Sequence, residues 1–128
     1  MPNVYLVQRP APVRNSGWTP DLSKAARYGT VIELLGDRDR PSFYPDASFH
    51  KLASRMNNFD QNEDYILWAG GDAAALVMLG VVLEQFKVTH FRWLRFNRDV
   101  APDGKRTGTG EYVPVLIDTA SLTKGDDV

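Results

Sequence analysis

Cysteine is absent from this chain of 128 residues. That excludes disulfide staples, thiolate metal sites and thiol nucleophiles, and it fits a reducing compartment. Charge of one sign is lacking too: 15 Lys and Arg stand against 16 Asp and Glu, a formal net charge of -1. No global field therefore draws the chain to nucleic acid or to an anionic membrane, and any electrostatic role must come from a local patch. The longest apolar run, Ala73 to Leu83, falls short of the ~20 residues that span a bilayer. Met1-Pro2-Asn3 opens with no basic region followed by an apolar stretch, so no signal peptide is visible. Histidine is scarce: His50 and His90 stand alone, with no carboxylate at ligand spacing, so neither a metal nor a cofactor is expected. Asp46, Ser48 and His50 are close in sequence, but neighbours do not make a triad, and no nucleophile elbow is present. Asp46 and Ser48 read more simply as turn and helix-cap residues. A soluble cytoplasmic protein without catalytic machinery is the expectation.

What is present is an ordinary globular composition, 43% hydrophobic and 24% charged, in a chain long enough for one domain with a real core. Val4–Val7 is a short apolar run and a first strand. Residues 9–20 carry Pro10, Pro12, Gly17 and Pro20 and read as loop. Asp21–Arg27 reads as one or two helical turns, capped by Asp21 or Thr19 and stopped by Gly29. Thr30–Leu35 is a second strand. Gly36-Asp-Arg-Asp-Arg-Pro41 reads as a solvated loop, and Pro45 prolongs the irregular stretch. From Ser48 to Phe59, Phe49, Leu52, Ala53, Met56 and Phe59 recur at spacings of three and four, an amphipathic helix. Asp60, Glu63 and Asp64 read as solvated carboxylates before a third strand at 65–69. An apolar helix at 72–86 and a fourth strand at 88–98 follow. A glycine-rich hairpin loop at 99–110, a fifth strand at 111–119 and a polar tail at 120–128 complete the chain.

The expected architecture is α/β: a single mixed sheet of about five strands with two main helices. The third and fourth strands form a parallel strand–helix–strand unit with a right-handed crossover, and the last two strands form a C-terminal antiparallel hairpin.

Three features could carry function. The first is the strand-to-helix turn Gly70-Gly71-Asp72. Glycines there let a ligand approach the backbone, and free amides at a helix start attract phosphate. Against this, the Asp72 carboxylate would take those amides itself and repel an anion, and neither G-x-G-x-x-G nor a P-loop lysine is present. The second is the ladder His90–Arg98, with His90, Arg92, Leu94, Phe96 and Arg98 on one face and Phe91, Trp93, Arg95 and Asn97 on the other. Arg92, Trp93, Arg95 and Arg98, extended by Lys105 and Arg106, mix basic and aromatic groups as single-stranded nucleic-acid surfaces do. With a slightly negative net charge and no RNP-type motif, they better suit a half-buried hairpin whose arginine stems cover apolar surface. The third is the apolar helix with Trp68 beside it. Val77, Met78, Val81 and Val82 add surface that belongs either to the core or to an interface with a second copy or a partner.

The segments Asp21–Gly29 with Thr30–Leu35, Asp64–Asp72 with its alanine-rich helix, Phe91–Phe96 and Tyr112–Ile117, taken in order, resemble a group of small uncharacterised proteins of tailed bacteriophages. The chain departs from the group in its doubled glycine, in lacking proline after Asp72, and in a longer loop at 99–110. The resemblance implies a viral origin and an accessory role in the infected cell; no functional residues come with it.

Three readings remain open. The chain is a non-enzymatic accessory protein that binds a host or phage macromolecule, with protein ahead of nucleic acid as the partner. Alternatively it binds a nucleotide or small ligand at Gly70, Gly71 and Asp72, or it assembles with copies of itself.

Overall fold

The computed structural model describes residues 2–10, 22–100, 106–119 and 121, with the backbone alone at 97–100 and 106–109. Runs of β-branched, leucine and aromatic residues become strands β1 (Asn3–Gln8), β2 (Thr30–Leu35), β3 (Tyr65–Leu67), β4 (His90–Val100) and β5 (Arg106–Asp118). Helix α1 (Pro45–Arg55) joins β2 to β3, and α2 (Ala74–Gln85) joins β3 to β4. A single 3-10 turn, Ala25–Arg27, precedes β2.

The strands form one five-stranded sheet in the order β2-β1-β3-β4-β5. Neighbours from β2 to β4 are parallel, and β5 returns antiparallel to β4. The mixed α/β sheet with two helices and a terminal hairpin is thus the one expected from the sequence. The strand order is new information. From β1 the chain travels one way to β2; from β2 it travels the other way, over β1, to β3. A constant crossover hand then requires opposite faces for the two connections, and that is the arrangement found. Helices α1 and α2 share one face, where Leu52, Met56, Ala75, Leu79 and Val82 pack on Tyr5, Val7, Leu34 and Ile66. The Ala25–Arg27 turn covers the other, where Ala25 packs with Val4, Leu6, Leu67, Leu94 and Tyr112. Successive β1 side chains alternate between these cores, as a strand covered on both faces must.

Several boundaries differ from expectation, each for a local reason. Helix α1 starts at Pro45, because proline is well placed in the first turn, where its missing N–H would have no partner. Ser48 therefore sits inside the helix, buried, with Asp46 in the first turn. Strand β3 is only three residues long. The hairpin arms reach Val100 and start again at Arg106, through most of the stretch expected as loop. The expected caps Asp21 and Thr19, most of the 9–20 loop and nearly all of the 120–128 tail lie outside the described residues. Asp64 is not solvated. It is 4% exposed, and its carboxylate accepts the Asn3 amide at 2.8 Å and the Asp60 amide at 2.8 Å. It thereby ties the start of β1 to the turn before β3.

Both sheet edges are blunted. The Thr119 amide donates to the Thr89 carbonyl, so by two-residue alternation Tyr112, Pro114 and Leu116 direct their backbone groups outward from β5. Pro114 has no N–H to offer there, and the Tyr112 carbonyl accepts the Tyr28 hydroxyl at 2.6 Å. On β2, Arg55 donates to the Glu33 carbonyl at 2.9 Å. Proline and capped carbonyls interrupt the template on which another strand would pair. Among the described residues, no helix is long and apolar enough to cross a membrane.

Candidate functional site

In an open α/β sheet, neighbouring strands whose connections leave toward opposite faces part at their carboxyl ends, and a crevice opens there. Here those strands are β1 and β3. A crevice of about 260 Å³ lies at this point, lined by Gln8, Arg9, Asp37, Asp39, Arg40, Gly71 and Asp72.

Gln8, the last residue of β1 and 3% exposed, organises its floor. Its Nε2 donates to the carbonyls of Gly36 at 3.1 Å and Asp39 at 3.0 Å. Its Oε1 accepts the Asp72 amide at 2.7 Å. One buried amide therefore joins the loops after β2 and β3, as a buried polar side chain must find partners on all sides. Gly70 (φ 114) and Gly71 (φ 124) adopt backbone conformations closed to most L residues. A Cβ on Gly71 would stand 2.9 Å from Gln8 Cδ and closer still to Oε1, whereas one on Gly70 would meet nothing within 4 Å. The second glycine is thus demanded by Gln8.

Asp72 does bond a free amide of α2, accepting from Ala74 at 3.0 Å. It also accepts from the Ser42 amide at 2.9 Å and the Ser42 hydroxyl at 2.6 Å. These bonds, Ser42's first and then that of Ala74, hold its carboxyl below the ordinary range. Asp39 accepts from Lys51 Nζ at 2.7 Å and from the Gly36 amide at 2.6 Å. Partial burial pushes its carboxyl up, but these two donors and the Lys51 charge outweigh that, and the net displacement is downward. The Gly36–Pro41 segment is therefore anchored, not a freely solvated loop. Both carboxylates are charged at neutral pH and bonded to internal donors: Asp72 through both of its oxygens and Asp39 through Oδ2. Among the described residues, capacity is left on the Arg9 guanidinium, held there by a 3.5 Å ion pair with Glu33, on the Arg40 guanidinium, whose Nη1 donates to the Asp37 and Asp39 carbonyls, and on the Asp37 carboxylate.

The hairpin arginines separate. Arg92 lies on the Leu94 face, its guanidinium 4.2 Å from the Tyr65 ring centroid and donating to the Tyr65 hydroxyl and the Asn62 carbonyl. Arg95 is exposed on the opposite face, the side on which Trp93 packs with the helices. The backbones of Arg98 and Arg106 belong to the paired arms, and Lys105 lies outside the described residues. His90, two residues before Arg92 on the same face of β4, has Nε2 2.8 Å from Asn62 Oδ1 and Nδ1 3.1 Å from Thr89 Oγ1. It fastens the loop before β3 to the head of β4. Among the described residues no cluster of three or more His, Asp or Glu could hold a metal ion.

The α2 residues divide as well. Val82 is fully buried and belongs to the core; Met78 and Trp68 pack at its margin. Val77 is 71% exposed and Val81 40%, one turn apart on the outer face with Gly80. Phe43 and Tyr44, at the head of α1, are 76% and 68% exposed, and the Ser42–Asp72 bonds bring their segment to the start of α2. Sequence reading had not singled out Gln8, Ser42, Phe43 or Tyr44. Two adjacent aromatics in a charged, proline-bounded loop were the visible signal for the last pair.

Fold and crevice together define a small α/β protein with one mixed five-stranded sheet and a crevice at the strand-order switch. A model of the phage Pam3 gp32-like protein family matches residues 2–118, and the chain belongs to that family. No curated protein and no solved structure matches it.

Proposed function

We propose that this phage protein is an accessory factor that works inside the infected cell by docking on a host or phage protein. The observation that carries this is the exposed aromatic pair Phe43–Tyr44, whose segment is bonded to the start of α2, the helix that exposes Val77 and Val81. The pair is not on a loose tip. The Phe43 and Tyr44 amides both donate to the Arg40 carbonyl, at 2.9 and 2.8 Å, and Ser42 is fastened to Asp72. A backbone already held in place has little entropy left to lose on docking, and buried aromatics dominate protein interfaces. Nucleic acid fits less well, because Arg92 and Arg95 serve opposite sheet faces and Arg92 is engaged with Tyr65. Self-assembly through strand edges is disfavoured by Pro114 and the capped carbonyls.

The test is a tagged pull-down from host lysate and from infected cells, with and without nuclease, comparing the parent with a Phe43→Ser, Tyr44→Ser double variant. The expected result is a stoichiometric protein that survives nuclease and is lost with the variant, whose melting temperature stays within a few degrees of the parent. Retention of the same protein by the variant overturns the assignment of the surface. Recovery that vanishes with nuclease favours the hairpin and nucleic acid.

A further inference from the structure

The switch-point crevice carries a second inference, independent of the docking surface. Half of its polar side chains are spent on holding its shape: Gln8, Asp39 and Asp72 are bonded to the loops they join. What remains is a complementary set. Arg9 and Arg40 bring two guanidinium groups to one cavity, and Asp37, two residues past the end of β2, brings a carboxylate. Among the described residues, no donor bonds to that carboxylate. A guanidinium pairs with phosphate through parallel N–H···O bonds. A carboxylate with two free oxygens accepts from the two hydroxyls of a cis-diol. The cavity, about 260 Å³, lies just below the ~300–1,000 Å³ of sites that enclose drug-sized ligands. It suits a sugar phosphate and is too small to enclose a dinucleotide.

We propose that the crevice binds a phosphorylated pentose, with Asp37 on the 2′,3′-diol and Arg9 and Arg40 on the phosphate. The same chemistry is presented by a free pentose phosphate and by the ribose phosphate of a nucleotide whose base extends into solvent.

Backbone amide shifts of the full chain, followed by NMR during titration, test this. The probes are ribose 5-phosphate, 2-deoxyribose 5-phosphate, AMP and inorganic phosphate, each to about 5 mM, where a Kd of ~1 mM is visible. Shifts are expected at Gln8–Arg9, Asp37–Arg40 and Gly71–Asp72, with the deoxy sugar at least about tenfold weaker, because a site built for a hydroxyl rejects the analogue lacking it. Asp37→Asn should erase the preference for the ribo form, and Arg9→Gln should weaken both sugar phosphates alike. Neither side chain holds the fold, so the unliganded spectra should match the parent. Tighter binding of AMP than of ribose 5-phosphate identifies a nucleotide as the source; equal binding identifies the sugar phosphate. Absence of shifts with every probe overturns the proposal. So does equal response to ribo and deoxy sugars, or to inorganic phosphate alone. None of these results bears on Phe43 and Tyr44.

Discussion

Replacing Gly71 with alanine tests whether the second glycine is required by Gln8. The added Cβ must overcome two obstacles. At φ 124 an L side chain is strained by about 1–2 kcal/mol. The Cβ would also stand 2.9 Å from Gln8 Cδ and 3.1 Å from Gln8 Cβ, so the amide has to swing away. That breaks the bonds to Gly36, Asp39 and Asp72, which together cost about 2–3 kcal/mol net. The sum is about 3–5 kcal/mol. For a chain of 128 residues each kcal/mol moves the melting temperature by about 4 °C, giving a fall of roughly 12–20 °C by calorimetry. Gly70→Ala is the internal control: its φ is 114, but its Cβ meets nothing within 4 Å, so only strain acts, about 4–8 °C. A double-mutant cycle completes the argument. In a Gln8→Ala background most of the obstruction is gone, and Gly71→Ala should then cost about as much as Gly70→Ala, a coupling of about 2–3 kcal/mol. Equal melting temperatures for the two single variants, or a coupling near zero, would refute the reasoning and free Gly71 for a role at the backbone of a ligand loop.

Acid should unfold the protein partly through Asp72 and Asp39. Both folded-state carboxyls lie below their ordinary value of 3.8, so their stabilisation is complete above that value and is lost as pH falls through it toward the folded-state value. Stability measured by urea titration from pH 5 to pH 2 should decline less steeply in Asp72→Asn than in the parent; parallel curves would show that the Ser42 bonds do not favour the charged form. Burial, with the Asp64 charge second, raises the Tyr5 phenol above its usual 10.0, so its contribution is whole below that value and is lost at higher pH. Tyr5→Phe should therefore flatten the alkaline limb of the same measurement. Pro114→Thr restores an outward N–H at the middle of the β5 edge, and light scattering should detect self-association absent from the parent. A variant that remains as monodisperse as the parent would mean the edge is guarded elsewhere.

The sequence by itself determined the kinds of element and most of their positions. β2 follows from a β-rich run between two glycines, and α1's inner stripe from apolar spacing. The parallel unit around α2 follows from a strand, a glycine turn and an apolar helix in series. Local patterning carries that information because side-chain periodicity is set within a few residues. It also carried the phage resemblance, since ordered short segments persist along the chain. It read Asp64 and Asp39 as solvated because a carboxylate's partners, Asn3 and Lys51 here, are distant in sequence. It also treated the hairpin arginines as a potential patch, although Arg92 is taken by Tyr65 from the neighbouring strand. Only the tertiary structure decided that β1 lies between β2 and β3, because strand order depends on crossovers between segments with no local signature. That order opens the crevice, brings Gln8, Asp37 and Gly71 from three separate stretches to one place, and leaves Val77 and Val81 outside while Val82 is buried.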